Sequence, residues 1–148
     1  MESTFSDLFR LLMKHDVKFI VVGGVACGLN GFIRATEDVD IIVDTCADNI
    51  EKLLHALKFW GDGYVRELEP SDFAIAPGAV RLVEFFPLDI FTQLAEKTYH
   101  EFLPNAQQHH SGILYLNPTD LILTKRRSHR EKDRIDILAL KRIGDSNS

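Results

Sequence analysis

Residues 34–43 read RATEDVDIIV, a run in which two acidic residues alternate with apolar ones before the sequence turns fully apolar. Alternation with a period of two is typical of a β-strand, and it places Asp38 and Asp40 on one face of that strand. Two neighbouring carboxylates repel each other unless a cation lies between them, and hard oxygen ligands suit Mg²⁺ or Mn²⁺. The run therefore predicts a strand over 38–43 that carries a divalent metal site.

An apolar run upstream, residues 18–22, is short and rich in β-branched residues, so it predicts a buried strand that stops at Gly23 and Gly24. A short helix is expected over 25–29. Glycines where a strand gives way to a helix let the backbone approach a phosphate, whose charge the helix N-terminus favours. Thirteen residues separate Gly24 from Asp38, and the order of the two motifs favours a phosphate-binding role for the glycines.

A third acid belongs to a later strand candidate, residues 88–91, where Asp89 is flanked by apolar residues that would face the core. The carboxylates of Asp38, Asp40 and Asp89 could then meet at one edge of the sheet. Such an edge can hold one or two metal ions that bridge triphosphate oxygens and bring an attacking hydroxyl in line with phosphorus. Asp89 is the best candidate for the general base.

Helix and strand patterns fill the rest of the chain, which predicts a single α/β or α+β domain over 1–144 and a polar tail over 145–148. The first predicted helix follows a cap at Ser3 or Thr4 and carries an apolar stripe of Phe5, Leu8, Phe9 and Leu12. Further helices are predicted over 48–57, from 118 through Lys125, and around Ile135, Leu138 and Ala139. A weakly patterned helix is predicted over 93–108, with a break at Pro104. Further strands are predicted at 73–75, 80–85 and 113–116.

The composition excludes several function classes. The net charge of −5 over 148 residues argues against broad nonspecific attraction to nucleic acid, which requires surplus lysine and arginine. Cys27 and Cys46 lack the spacing of metal ligands, so reduced structural thiols are expected. The sequence starts without a secretory signal and has no apolar run long enough to span a bilayer. We expect a soluble protein of the cytoplasm with no membrane contact.

The two motifs together resemble the signature of the DNA polymerase beta superfamily of nucleotidyltransferases. In that signature an apolar residue precedes Gly-Gly or Gly-Ser, and Asp-apolar-Asp-apolar follows after a short interval; here these are residues 22–24 and 38–41. The fuller strings 34–40 and 125–136 resemble small stand-alone members related to the AbiEii toxins of toxin–antitoxin systems. The resemblance implies a mixed β-sheet packed with helices, with a nucleoside triphosphate (NTP) as substrate and Mg²⁺ or Mn²⁺ as cofactor.

The resemblance also implies roles for particular residues. Gly23 and Gly24 would line the triphosphate loop, Asp38 and Asp40 would bind metal, and Asp89 would complete the metal-binding triad and activate the acceptor. Further nucleotide-binding candidates are Arg34, Thr36, Lys125 and Lys132. Arg34 could equally be a surface cation, and Thr36 could instead order the loop through a hydrogen bond from its side chain to the backbone.

A basic segment, residues 125–136, holds six lysines and arginines among twelve residues. Such a run is often a solvated helix face. The alternative, which follows the toxin-like relatives, is that Lys125, Arg130 or Lys132 reaches the β- and γ-phosphates.

Three functions are compatible with these motifs. The leading one is metal-dependent transfer of a nucleoside monophosphate to a hydroxyl of RNA, protein or a small molecule. The second is a catalytically weak binding module with the same fold, which could pair with an antitoxin or another protein. The third is a purely structural or interaction protein, in which the three acids pair with Arg34 and Lys125 and leave no metal site.

Overall fold

The computed structural model describes residues 4–32 and 35–125. In this part of the chain, helices and strands alternate up to the third helix, and the later strands follow one another in pairs. The elements are α1 (Phe5–Lys14), β1 (Phe19–Val22), α2 (Gly23–Leu29), β2 (Val39–Val43), α3 (Ala47–Leu57), β3 (Ala79–Val83), β4 (Pro87–Phe91), α4 (Tyr99–Phe102), β5 (Gln107–Gln108), β6 (Leu114–Tyr115) and α5 (Pro118–Lys125), with 3₁₀ turns at Tyr64–Glu67, Pro70–Phe73 and Leu103–Asn105.

The strands form one mixed sheet in the order β3-β4-β2-β1-β6-β5. β2 runs parallel to β4 and antiparallel to β1, while β3 pairs antiparallel with β4 and closes that side of the sheet. On the other side β1 runs parallel to β6, which pairs antiparallel with β5. The predicted single α+β domain with a mixed sheet packed by helices is confirmed.

Helix α1 begins as its sequence predicts. The Thr4 hydroxyl accepts a hydrogen bond from the Asp7 amide at 3.1 Å, and the Asp7 carboxylate accepts one from the Thr4 amide at 2.9 Å. This reciprocal capping box satisfies two amides that the first helical turn leaves free. Leu8, Phe9 and Leu12 are buried on the face that meets the core.

The core lies around the two central strands. All four residues of β1 and four of the five in β2 are buried, which explains why these runs are nearly continuous in apolar residues. Helix α3 adds Ile50, Leu53 and Leu57 to the core, and α2 packs against both strands. Neither cysteine forms a disulfide: Cys27 is buried and Cys46 is exposed.

The prediction of a strand at 73–75 is wrong. Residues Pro70–Phe73 form a 3₁₀ turn, which buries Phe73. Pro70 fixes the backbone for the first turn, and the Asp72 carboxylate accepts a 2.7 Å hydrogen bond from the Glu69 amide. These local contacts favour the turn over an extended strand.

The predicted helix over 93–108 is also largely wrong. Leu94 and Lys97 form an isolated antiparallel bridge, and only four residues, in α4, are α-helical before the 3₁₀ turn that contains Pro104. Ala95 and Glu96 adopt left-handed backbone conformations with φ of 48° and 66°, which a right-handed helix does not allow. The segment ends in β5 instead.

The helix predicted from 118 through Lys125 is confirmed as α5. The Asn117 side-chain oxygen accepts a 2.8 Å hydrogen bond from the Asp120 amide, and Pro118 starts the helix. The final helix predicted around Ile135 lies outside the described residues. Among the helices of the described part, none is both long and apolar enough to cross a membrane.

Candidate functional site

A row of side chains crosses four strands on one face of the sheet. Val22 at the end of β1 pairs with Asp40 in β2, and Asp40 pairs in parallel register with Asp89 in β4. Asp89 in turn pairs with Arg81 in β3. Because residues in direct register share a face, the three acids predicted from the sequence come together here, with Asp38 immediately before β2.

Arg81 is the basic member of this row. Its Nε lies 2.8 Å from Asp89 Oδ1 and its Nη2 lies 2.9 Å from Asp89 Oδ2, so the two groups form a bidentate pair. The same Nη2 is 3.3 Å from Asp38 Oδ2. The guanidinium therefore joins two of the three carboxylates, and hydrogen bonds to Asp89 raise the pKa of Arg81.

Sequence reasoning missed Arg81, although a signal was present. The predicted strands 80–85 and 88–91 are adjacent along the chain, and adjacent strands commonly pair antiparallel. In such a hairpin an arginine and an aspartate of opposite strands can lie directly opposite each other, which is a favourable arrangement. The signal identifies a charge pair but does not show that the same arginine also reaches Asp38.

The surroundings of Asp40 raise the pKa of its carboxyl group. Burial, together with the negative charges of Asp89 and Asp38, raises the pKa of Asp40 from 3.8 to about 6. Lys125 opposes this effect, because its positive charge lowers the pKa of the same carboxyl. Lys125 is buried at the end of α5. The fold therefore places this predicted nucleotide-binding lysine close enough for its charge to act on Asp40.

Gly23 is required by the position of Asp40. Gly23 has a φ of +64°, which residues other than glycine rarely adopt. A Cβ atom at this position would clash with the Asp40 carboxylate. The turn from β1 into α2 thus passes directly over an acid of β2. Gly24 follows as a buried residue in the first turn of α2.

Residues 2–145 match the sequence model of a family described as a nucleotidyltransferase of unknown function (DUF6036). The chain belongs to this nucleotidyltransferase family. A comparison with curated proteins gives no match. Nucleotidyltransferases use NTP as substrate, so family membership places an NTP among the ligands of the chain.

The other predicted site residues of the chain are only partly described. Thr36 is half-buried in the loop that leads into β2. Arg34, Arg130 and Lys132 lie outside the described residues. The nucleotide-binding roles of all these residues stay predictions.

The cluster formed by Asp38, Asp40 and Asp89 suits a divalent metal by its donor chemistry. Three carboxylates offer only hard oxygen ligands, the kind that Mg²⁺ and Mn²⁺ prefer. As the side chains stand, however, no three His, Cys, Asp or Glu residues in 4–32 and 35–125 form a group that could hold a metal. Both oxygens of Asp89 accept hydrogen bonds from Arg81 in this arrangement.

The sequence left open a pairing of the acids with the cations Arg34 and Lys125, and Arg34 lies outside the described residues. Arg81, a further cation, contacts both Asp38 and Asp89. Lys125 contributes through its charge on Asp40.

Proposed function

We propose that this protein is a metal-dependent nucleotidyltransferase that transfers a nucleoside monophosphate from an NTP to a hydroxyl of RNA, protein or a small molecule. The observation that carries the proposal is the strand register, in which Asp40 lies opposite Asp89 and beside Gly23. Family membership supports the reaction class. Beyond the reaction class, we propose the metal, the roles of the residues and the class of acceptor.

The proposed reaction is a substitution at the α-phosphorus. The acceptor oxygen forms a bond to this phosphorus, while the bond to the oxygen that bridges to the β-phosphorus breaks and pyrophosphate leaves with the electron pair. The Asp89 carboxylate accepts the proton of the acceptor hydroxyl as the general base. A bound Mg²⁺ or Mn²⁺ would neutralise charge that develops on the phosphate oxygens.

The remaining residues of the site bind and orient in this proposal. Asp38 and Asp40 hold the divalent cation together with Asp89, and Gly23 and Gly24 leave space for the triphosphate next to the backbone. Lys125 balances the negative charge around Asp40. Arg34, Thr36 and Lys132 are proposed to contact the nucleotide.

The test is a transfer assay with the full chain. Each of the four NTPs, labelled at the α-phosphate, is incubated with Mg²⁺ or Mn²⁺ and a mixture of cellular RNA, proteins and small molecules. The variant Asp40→Asn removes one acid of the cluster. The matched control is Asp16→Asn, the same chemical change at an exposed residue just ahead of β1, where the φ of 58° is one that asparagine tolerates.

Transfer by the wild type and Asp16→Asn, with loss in Asp40→Asn, is the expected result. Sensitivity of the labelled product to nuclease or protease then identifies the acceptor class. If the wild type binds NTP in the presence of metal but transfers no label, the second function, a binding module, is favoured. The observation that favours this second function is that Arg81 occupies both oxygens of Asp89, the proposed general base.

The resemblance to AbiEii-related proteins, a protein antitoxin as partner and a place in the cytoplasm stay predictions. Co-purification of the full chain with the product of a neighbouring gene, and protection of a host from growth arrest by that product, would support the antitoxin. Unimpaired growth of a host that produces the full chain alone would count against a toxin.

A further inference from the structure

Arg81 stands in the position of a counter-ion within the acidic cluster. Its guanidinium contacts two carboxylates from distant parts of the chain, that of Asp89 in β4 and that of Asp38 just ahead of β2. The pair with Asp89 uses the planar fork of arginine in its best geometry, two parallel N–H···O contacts at 2.8 and 2.9 Å. This arrangement offsets the mutual repulsion of the acids when no metal is bound.

The surroundings of Arg81 allow it to leave. Strand β3 is the edge of the sheet, and the Arg81 side chain is 54% exposed, whereas the Asp89 side chain is only 13% exposed. A long, half-exposed side chain on an edge strand can rotate into solvent without opening the core. The carboxylates would stay in place, because Asp89 is set by the pairing of β4 with both β2 and β3.

A divalent cation and this guanidinium compete for the same oxygens. Metal entering alone must either displace Arg81 or lie beside a positive charge, and both are unfavourable. A triphosphate changes the balance, since its oxygens match the guanidinium fork as well as a carboxylate does. Arg81 then exchanges one anionic partner for another instead of being left in water.

We infer that Arg81 weakens binding of free divalent metal at Asp38 and Asp89 and moves to the triphosphate when nucleotide and metal enter together. This inference rests on the proposed function and adds a positioning residue to it. It predicts effects of opposite sign for one substitution. Loss of Arg81 strengthens binding of metal alone and weakens binding of the metal–triphosphate complex.

The experiment measures Mn²⁺ affinity of the full chain from the electron paramagnetic resonance signal of free Mn²⁺. Binding of Mn²⁺–tripolyphosphate, which carries no base, is measured separately by equilibrium dialysis. Arg81→Gln removes the charge, and Arg81→Lys keeps the charge but not the fork. The matched control is Arg10→Gln, which breaks another arginine–aspartate pair, with Asp7, on the exposed side of α1.

We expect Arg81→Gln to bind Mn²⁺ roughly tenfold or more tightly than the wild type, and Mn²⁺–tripolyphosphate roughly tenfold more weakly. Arg81→Lys should lie nearer the wild type in both measurements, and Arg10→Gln should match it. Combining Arg81→Gln with Asp89→Asn should remove the gain in Mn²⁺ affinity. Circular dichroism checks that each variant is folded, which the exposure of Arg81 makes the expected result.

Unchanged or weaker Mn²⁺ binding by Arg81→Gln, in a protein that still binds Mn²⁺–tripolyphosphate, overturns the inference and leaves the proposed function standing. Weakening of both ligands by Arg81→Gln also overturns it, because a purely structural role of Arg81 has that effect. Failure of the wild type and every variant to bind either ligand overturns the proposed function and the inference with it.

Discussion

Asp40 combines burial with two acidic neighbours, and this has a measurable effect on stability. The pKa of Asp40 in the folded protein is about 6, above its ordinary value of 3.8, so the folded state binds this proton more tightly than the unfolded state. The free energy of unfolding therefore rises as the pH falls from above 6 toward 4. At pH 8 the ionised carboxylate costs on the order of 3 kcal/mol in the absence of metal.

Asp40→Asn should remove this cost. We expect the variant to be more stable than the wild type at pH 8 in EDTA, and the difference to fall to about 1 kcal/mol at pH 4.5 and toward zero below the ordinary pKa of 3.8. Urea unfolding of both proteins across this pH range measures the difference in their free energies of unfolding. Groups that titrate alike in the variant and the wild type cancel in this difference. A variant less stable than the wild type at pH 8 would show that the acid is stabilised by its cationic neighbours instead.

Gly23 tests the contact between the glycine turn and the acids. Gly23→Ala places a methyl group against the Asp40 carboxylate and strains a backbone with φ of +64°, so we expect a loss of about 1–3 kcal/mol. Gly28→Ala is the matched control, because it lies in the same helix, α2, with no atom within 4 Å of the added Cβ. It should stabilise by about 0.5–1 kcal/mol through helix propensity. Equal effects of the two substitutions in urea unfolding would contradict this assignment.

At the scale of elements, one asparagine ties β1, β2 and α3 together. The Asn49 side-chain oxygen accepts a 2.7 Å hydrogen bond from the Lys18 amide, and its nitrogen donates to the Lys18 and Asp44 carbonyls at 3.0 and 2.7 Å. Asn49 is buried, so Asn49→Ala leaves the Lys18 amide and the Asp44 carbonyl without this partner, while the Lys18 carbonyl keeps its hydrogen bond from the Asp44 amide.

We expect Asn49→Ala to lower the free energy of unfolding by about 2–4 kcal/mol, because all three hydrogen bonds of the side chain are lost. Asn105→Ala is the control, since Asn105 is exposed and holds Asn117 through its backbone carbonyl alone. Its effect should stay within about 0.5 kcal/mol. Denaturant unfolding monitored by Trp60 fluorescence compares the two, and a loss below 1 kcal/mol in Asn49→Ala would show that water replaces the amide.

Elements whose stability comes from their own residues could be predicted from the sequence. The cap at Thr4 and the Asn117-Pro118 start of α5 depend on contacts within a few residues, and β1 and β2 are marked by their own nearly continuous apolar runs. Strand alternation likewise places Asp38 and Asp40 on one face. The position of Asp89 beside them follows from the pairing of β2 with β4.

Elements that depend on distant or competing contacts were not predicted. The apolar residues at 73–75 fit a strand pattern, but Pro70 and the Glu69–Asp72 contact turn the chain first. The left-handed Ala95 and Glu96 carry no signal of their own in sequence, since neither is glycine or asparagine. Arg81 was missed because its contact with Asp38 requires the order of three strands, which alternation cannot supply.

At the scale of the whole molecule, charge limits how an acceptor is recruited. The chain carries −5 over 148 residues, so its overall field repels polyanions rather than attracting them. An RNA acceptor would have to be recognised through local contacts, and bulk RNA should bind weakly, with a dissociation constant of about 10⁻⁴ M or higher at physiological salt. Filter binding of a mixed-sequence RNA measures this, and tight binding with a steep salt dependence would reveal a basic surface that the net charge hides.

Stability of the whole molecule should also report the metal–nucleotide complex. A ligand that binds only the folded state at a hundred times its dissociation constant adds about 2.7 kcal/mol, or roughly 8 °C in Tm for a chain of this size. We expect that rise with NTP and Mg²⁺ together, and no rise when EDTA is added. Asp40→Asn should start from a higher Tm and lose the rise, since the same carboxylate destabilises the free fold and holds the cation in the complex. A rise that persists in Asp40→Asn would place the nucleotide at another site, whatever the fold implies.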